Sequence, residues 1–236
     1  MIPGITLLAQ TKLKSVQVAS VWAPADVKID GNLEEWDNNF QAENKAGGLF
    51  YTLSNNNLYL YLAVTGTNAK SSAKLAAGGL TFTINTDGKK TSKDAFTLTY
   101  PVILKSQVAQ PALADTVAVS AAHKAIMENS KIIKVSGFKD LDDTLISTKN
   151  DFGILTAISF KKSGNYCFEV AIPLKEIFLT IDKAKEIAYN IKVNGSEGAP
   201  GAGASNKTTE ENKKDIAVDT NDPVDFWGKY TFAKNK

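Results

Sequence analysis

Residue types that can do nucleophilic or metal chemistry are scarce in this chain. Its 236 residues include one histidine, His123, and one cysteine, Cys167, beside 25 acidic residues. No serine stands in a nucleophile-elbow pattern, no histidine pair has zinc-ligand spacing, and no glycine-rich phosphate loop follows a predicted strand. Two carboxylates placed by the fold could still hydrolyse a glycosidic bond. The sequence therefore favours binding over catalysis and leaves a glycoside hydrolase as the alternative among enzymes.

The charged residues limit the kind of ligand. All 27 basic residues are lysines and none is an arginine, whereas bidentate recognition of carboxylates and phosphates normally uses a guanidinium group. A biased genome would also explain this composition, with the same chemical consequence. The net charge is only +2 and the lysines are spread along the chain, so no nucleic-acid surface is predicted. A neutral ligand rich in hydroxyl groups fits these residues better than an anionic one.

Alternating apolar and polar residues mark the elements that must position any site. β-Branched and aromatic residues recur at a period of two in nine segments, which are 49–53, 58–64, 80–84, 96–103, 132–135, 153–160, 166–172, 187–193 and 227–232. Turn-forming residues such as Asn85-Thr86-Asp87-Gly88 separate them, as tight hairpins require. The pattern predicts an all-β antiparallel β-sandwich of nine or ten strands, immunoglobulin-like or jelly-roll-like, with one or two short helices. Without a repeat or a mid-chain linker, residues 26–234 are expected to form a single domain.

Two segments lack this alternation. Residues 106–129 are rich in alanine, and their second half predicts a helix. Residues 195–215 combine Gly, Ala, Ser, Asn and Lys around Pro200, which predicts a loop that buries too little apolar surface to order itself. A short helical turn is expected at 174–178, because Pro173 ends the preceding strand.

The beginning of the chain indicates export. Residues 1–10 are an apolar stretch that ends in a small residue, with a plausible cleavage position after Ala9 or Gln10, as at the end of a secretory signal. Residues 11–25 then lead into the domain. No other stretch approaches the roughly 20 apolar residues of a membrane helix. The sequence therefore predicts a secreted protein, extracellular or periplasmic, without a membrane span.

Four pieces of sequence occur in a recognisable order. They are Ile29-Asp30-Gly31 followed by Trp36, the strand 58–64, the strand Tyr166-Cys167-Phe168-Glu169-Val170-Ala171-Ile172-Pro173, and the closing Phe226-Trp227-Gly228. Together they resemble the family 9 carbohydrate-binding modules and their DOMON-like relatives, over about residues 26–232. The resemblance implies a β-sandwich with Trp36 in its core, and a carbohydrate-binding function without catalysis.

The resemblance also suggests where a sugar would bind. In such sites an aromatic ring packs on the CH face of a pyranose while amides and carboxylates bond its hydroxyl groups. We predict Trp227 as the stacking residue, because it follows a polar run and begins the last predicted strand. Well-studied members clamp a terminal sugar between two tryptophans; here Tyr51 and Tyr100 are the candidates for the opposing face, and Asn221 for hydrogen bonding. Trp22 is either packed or an exposed stacking ring.

The resemblance further implies partners and an ion. The expected ligand is a polysaccharide or oligosaccharide, and a separately encoded glycoside hydrolase is a second expected partner. Because structural calcium occurs in this family, we hypothesise that Asp219, Asp222 and Asp225 bind Ca2+, to which aspartates spaced two or three residues apart can offer oxygens. The alternative is that these aspartates form turns and stay solvated, because no calcium-loop spacing is matched.

Two other functions stay open. A structural or adhesive surface protein could keep the sandwich without a sugar site, as expected if Trp22, Trp36 and Trp227 were all buried. A haem-binding DOMON-type domain needs axial ligands on opposite sides of the iron, whereas His123 and Met127, four residues apart, would share one face of a helix. Haem is therefore disfavoured.

Overall fold

The computed structural model describes residues 12–36, 39–102, 116–139, 141, 144–183, 185–195 and 222–235. The predicted signal remnant at 1–10 and all but the first residue of the predicted loop at 195–215 lie outside these residues. The described strands are β1 Ala42–Asn44, β2 Leu49–Asn55, β3 Tyr59–Gly66, β4 Leu80–Asn85, β5 Phe96–Tyr100, β6 Ile132–Ser136, β7 Thr144–Ser147, β8 Leu155–Phe160, β9 Tyr166–Pro173, β10 Ile187–Val193 and β11 Val224–Tyr230. The described helices are α1 Ala69–Gly78, α2 Thr116–Asn129 and two 3-10 helices, Glu34–Trp36 and Leu174–Ile177.

The strands form two antiparallel sheets. One has five strands in the order β1-β2-β3-β9-β8, and the other has six in the order β11-β10-β4-β5-β6-β7. The predicted all-β antiparallel sandwich with one or two short helices is confirmed, and so is a helix in the second half of 106–129. Strands β1 and β7 were not predicted, because three and four residues are too short to show a period of two.

Helix α1 is also absent from the predicted elements, although it has a recognisable start. The Asn68 side chain accepts a hydrogen bond from the Ser71 backbone N–H at 3.0 Å, and Ser71 Oγ accepts one from the Asn68 N–H at 3.2 Å. This reciprocal pair is a capping box, which satisfies two backbone donors at the helix start. Gly79 ends the helix. The sequence signal for helix α1 therefore lies in its capping residues and not in a hydrophobic period.

The main core lies between the two sheets. Alternate residues of each strand point inward, for example Leu60 and Leu62 of β3 and Phe82 of β4, which are at most 1% exposed. Burying each such side chain contributes about 1.5–3 kcal/mol to folding. Two tyrosines join the sheets across this core, since the hydroxyl groups of Tyr51 on β2 and Tyr189 on β10 lie 3.0 Å apart.

A second apolar layer covers the outer face of the five-stranded sheet. Residues of the N-terminal segment, including Ala23, Leu33 and Trp36, pack there against Tyr61 and Cys167 of β3 and β9. Trp36 is only 5% exposed and is a core residue, as predicted. The five-stranded sheet is therefore covered on both faces.

A buried carboxylate holds this layer in place. Glu169 on β9 is fully buried; its Oε1 accepts a hydrogen bond from Trp36 Nε1 and its Oε2 accepts one from the Gly31 N–H, both at 2.8 Å. Burial raises the pKa of Glu169 to about 7, although the two hydrogen bonds oppose this shift. Gly31 has a φ of 87°, and a Cβ there would lie 2.9 Å from the backbone of Ile158. The Asp30-Gly31 turn thus needs glycine both for its conformation and for its close approach to β8.

Candidate functional site

The outer face of the six-stranded sheet is polar. Because alternate residues of these strands enter the core, their neighbours point away from it. The outward side chains of β4, β5, β6, β10 and β11 include Thr81, Thr83, Asn85, Thr97, Thr99, Lys134, Ser136, Asn190, Lys192, Asp225, Trp227 and Lys229. No apolar cluster of the described residues covers this face, in contrast to the outer face of the other sheet.

Trp227 projects from this face because both of its neighbours point into the core. Phe226 packs on Tyr51 with ring centroids 5.3 Å apart, and Gly228 lies so close to the Tyr189 ring that a Cβ would be 2.2 Å from Tyr189 Cζ. Trp227 itself is half-buried. It lies in the middle of β11, not at its beginning as predicted, since the strand starts at Val224.

Polar groups are held beside the Trp227 ring. Asn190 on β10 is the cross-strand partner of Trp227, so the two side chains lie next to each other on the same face. Asn190 Nδ2 donates hydrogen bonds to Asp225 Oδ2 at 2.7 Å and to the Phe226 carbonyl at 3.1 Å. Asn190 is buried and Asp225 is exposed. The arrangement presents an aromatic surface together with an oriented carboxylate that can accept hydrogen bonds from ligand hydroxyl groups.

A row of accessible side chains crosses the sheet next to Trp227. Register pairs Asp225 with Lys192, Lys192 with Thr81, Thr81 with Thr99, and Thr99 with Lys134. None of the five is buried, and the row is about 19 Å long at the usual spacing of strands. The hydroxyl groups of Thr81 and Thr99 lie 2.8 Å apart. The row offers donors and acceptors along a line that an extended ligand could follow.

The far end of this row opens into a shallow depression. It has a volume of about 210 Å³ and is lined by Thr97, Thr99, Lys134, Val135 and Ser136. Thr83 lies between it and Trp227, and Asn85 is the next outward residue of β4. They are 5% and 3% exposed, so they contribute little to the accessible surface. The accessible part of this face therefore includes Trp227, the row, the depression and two further exposed side chains, Lys229 and Leu145.

The predicted roles of Tyr51 and Tyr100 are wrong. Tyr51 is fully buried, and its hydroxyl group accepts a hydrogen bond from the Gln17 N–H at 3.1 Å. Tyr100 is 3% exposed, and its hydroxyl group donates to the Ser130 carbonyl at 3.0 Å. Burial raises the pKa of both hydroxyl groups. Both residues occupy inward positions of their strands, so neither ring can oppose Trp227 or stack on a ligand.

The remaining predicted residues lie elsewhere or have protein partners. Asn221 and Asp219 lie outside the described residues. The backbone carbonyl of Asp222 contacts the Lys74 ammonium group, and the Asp225 carboxylate accepts from the Asn190 amide. Within the described part of the chain, no group of three or more His, Cys, Asp or Glu residues could hold a metal ion. Because Asp219 lies outside the described residues, the Ca2+ site remains a prediction.

The histidine and methionine considered for haem belong to the packing of α2. The His123 ring lies parallel to the Phe160 ring of β8, with centroids 3.6 Å apart and planes 3° apart. Met127 packs partly buried against the main core. Burial lowers the pKa of His123, which keeps the imidazole neutral near pH 7. Since both residues face the sandwich from one side of a helix, they do not form a pair of axial ligands.

Sequence reasoning did not predict four residues of this site, which are Asn190, Lys192, Thr81 and Thr99. A signal was present in the triplets Thr81-Phe82-Thr83 and Thr97-Leu98-Thr99, because threonine alternating with core residues indicates a strand with one polar face. The sequence did not show that these strands lie side by side.

The part of the chain that the structure describes contains no helix long and apolar enough to cross a membrane.

Comparisons with known proteins add no identification to this geometry. No protein-family model, no curated protein and no solved structure matches this chain.

Proposed function

We propose that this protein is a non-catalytic carbohydrate-binding domain that holds a neutral polysaccharide, or the end of one, on the outer face of the six-stranded sheet. The observation that carries the proposal is the position of Trp227, which projects from a polar sheet face beside the hydrogen-bonded pair Asn190 and Asp225. The resemblance to family 9 carbohydrate-binding modules supports the same class of ligand. Export, which the beginning of the chain favours, is part of the proposal.

The chemistry of this face matches a sugar with many hydroxyl groups. The Trp227 ring can cover the CH face of a pyranose. Such a contact tolerates different sugars, because it depends on shape and apolar area. Asp225 accepts hydrogen bonds from hydroxyl groups, Lys192 donates them, and Thr81 and Thr99 can do both. The row carries one carboxylate, two ammonium groups and two uncharged hydroxyl groups, and this mixture suits a neutral ligand better than a polyanion.

The same face is poorly equipped for hydrolysis. A glycoside hydrolase needs two carboxyl groups on either side of the scissile bond. The accessible row of described residues carries one, Asp225, whose cross-strand neighbour is Lys192. The arrangement therefore supports binding without bond cleavage.

The competing function is a structural or adhesive surface domain without a sugar site. Trp36 is in the core, and Tyr51 and Tyr100 are buried, which reduces the aromatic side chains available on this face to Trp227. Trp22 is half-buried beside Asn55, with which it forms an isolated β-bridge. Both an adhesive domain and a weak sugar-binding domain could carry a single accessible aromatic ring. Only a binding measurement therefore separates the two functions.

The test is isothermal titration calorimetry with xylan, cellulose and β-glucan oligosaccharides. We use calorimetry because deleting Trp227 also removes a fluorescent reporter. We expect saturable binding that Trp227→Ala abolishes and that Trp22→Phe, a control at the other half-buried tryptophan, retains. Circular dichroism checks that each variant is folded. Absence of saturable binding across the panel, or equal binding by Trp227→Ala, would refute the proposal and favour the adhesive function.

A further inference from the structure

One aromatic ring stands out by its exposure. Phe178 is 68% exposed, and it is the only aromatic side chain among the large hydrophobic residues of the described chain that are exposed. It ends the 3-10 helix Leu174–Ile177 that follows β9. Its ring lies 6.0 Å from that of Phe96, centroid to centroid and tilted by 47°, so one part rests on the core and the remainder faces solvent.

The backbone at Phe178 is in a conformation that costs free energy. Its φ is 56° and its ψ is 30°, in the left-handed region that glycine usually occupies at the end of a helix. A bulky residue there is an outlier. Its N–H bonds the carbonyl groups of Leu174 and Lys175, which holds it in place. Core packing does not explain why a strained position carries a large exposed ring.

A second residue with positive φ precedes Phe96 in the chain. Asp94 has a φ of 55°, and it and Phe178 are the two non-glycine residues of the described chain with positive φ. Asp94 stands two residues before Phe96, the ring on which Phe178 rests. Aspartate adopts this conformation more readily than a bulky residue does, so Phe178 carries the larger strain, and strain of this kind is often found at functional sites.

The surroundings of Phe178 are loops from both sheets. The Lys139 N–H donates to the Glu176 carbonyl at 3.0 Å, which brings the segment after β6 against the 3-10 helix. The Phe138 ring packs edge-on against Phe96, with ring centroids 5.7 Å apart. Exposed Asp94, Lys175 and Thr180 in these loops supply carboxylate, ammonium and hydroxyl groups of the kind that bond sugar hydroxyl groups.

We propose that Phe178 is a second carbohydrate-stacking platform, at the loop end of the sandwich and separate from Trp227, that binds a pyranose ring of the same neutral polysaccharide. This inference rests on the proposed function for its ligand class. A supported ring with one open face and polar loop residues around it is the arrangement that pyranose stacking needs. Two platforms on one domain would let it bind a long polymer at two points, or join two chains, with a gain in avidity that a single site lacks.

The strained backbone provides a variant that separates binding from folding. Phe178→Gly removes the ring and relieves the left-handed conformation, because glycine adopts positive φ without a steric penalty. We expect this variant to keep or raise the melting temperature while it loses the second site. A purely structural role for the ring would lower the melting temperature instead. Val18→Ala, at a residue that is 74% exposed elsewhere, is the matched control.

The experiment is calorimetric titration with xylan, cellulose and β-glucan hexasaccharides, followed by affinity electrophoresis in the polymer that binds. We expect two sites per chain in the native protein and in Val18→Ala, and one in Phe178→Gly and in Trp227→Ala. On the polymer, Phe178→Gly should bind about tenfold or more weakly.

The possible results distinguish the proposed platform at Phe178 from the proposed site at Trp227. One site in the native protein that Phe178→Gly retains and Trp227→Ala loses overturns the second platform and leaves the proposed function intact. One site that Phe178→Gly loses and Trp227→Ala retains supports the platform and overturns the site at Trp227. Absence of binding by the native protein overturns both.

Discussion

Trp36 Nε1 donates a 2.8 Å hydrogen bond to Oε1 of Glu169, a carboxylate that is fully buried in β9. The residues are 133 positions apart in the chain, and the bond joins the N-terminal layer to β9, an interior strand of the five-stranded sheet. The other carboxylate oxygen accepts from the Gly31 N–H. One side chain thus satisfies two buried donors and links two of the sequence pieces on which the family resemblance rests.

Replacing Glu169 by glutamine should destabilise the protein. An amide has one acceptor oxygen, so its NH2 group would face either Trp36 Nε1 or the Gly31 N–H and leave a buried donor unsatisfied. We expect a loss of about 1–3 kcal/mol in the free energy of unfolding, measured by urea denaturation. Glu34→Gln, at an exposed position of the same segment, should change it by less than about 0.5 kcal/mol. Equal stability of Glu169→Gln and the native protein would contradict this account.

Stability should fall as the pH rises through 7. Burial raises the pKa of Glu169 from 4.5 to about 7, so the folded state prefers the protonated carboxyl group. The contribution of Glu169 is fully present below pH 4.5 and is lost progressively as the pH rises through about 7, with an amplitude of about 1–3 kcal/mol.

Urea midpoints between pH 4.5 and 8.5 measure this loss. His123 acts in the opposite direction, because its lowered pKa makes stability rise with pH. The difference between the native protein and Glu169→Gln isolates the carboxyl group. A difference that is the same at both ends of the range would show that Glu169 does not titrate there.

Gly228→Ala should both destabilise the protein and weaken binding at Trp227. A Cβ at this position would lie 2.2 Å from Tyr189 Cζ, so either the ring or β11 must move. We expect a loss of about 3 kcal/mol, seen as a lower melting temperature, together with weaker oligosaccharide binding. Gly164→Ala is the control that separates the clash from the general cost of replacing a glycine. Gly164 has a φ of 84°, but no atom lies within 4 Å of the added Cβ. We expect this variant to lose about 1 kcal/mol of stability and to bind oligosaccharides as the native protein does.

Thr81→Val and Thr99→Val should weaken polysaccharide binding with little effect on folding. Each removes one hydroxyl group from the accessible row, and each hydrogen bond to a ligand contributes about 0.5–1.5 kcal/mol, which corresponds to a two- to twelvefold change in affinity. Their hydroxyl groups also bond each other, so we expect the two effects to be non-additive. Calorimetry on the single and double variants gives the coupling. The control is Thr67→Val, between β3 and α1, and an equal effect of this variant would remove the row from the site.

Much of the fold was predictable because strand burial leaves a local pattern. Residues 58–64 and 166–172 carry the alternation of strands, and the structure places β3 and β9 there, paired with each other. The second half of 106–129 forms α2 where its alanine-rich composition favours a helix. The short strands β1 and β7 and the cap-driven helix α1 were missed, because their stability comes from pairing and end contacts and not from a hydrophobic period.

The sequence by itself determined that the protein is an antiparallel sandwich, that Trp36 lies in its core, and that its charged groups suit a neutral ligand. The sandwich and the charge composition follow from periodicity and residue type, which are local, whereas the core position of Trp36 was implied by the resemblance to family 9 carbohydrate-binding modules. Only the tertiary structure decided which aromatic rings are accessible. Tyr51 and Tyr100 were the candidates from sequence for the face opposing Trp227, but they point into the core between the sheets. Gly228 under the Tyr189 ring leaves Trp227 facing outward. The row from Asp225 to Lys134 likewise exists only because strands distant in the chain pair in one register. Such pairing depends on long-range packing, which cannot be predicted from any single segment.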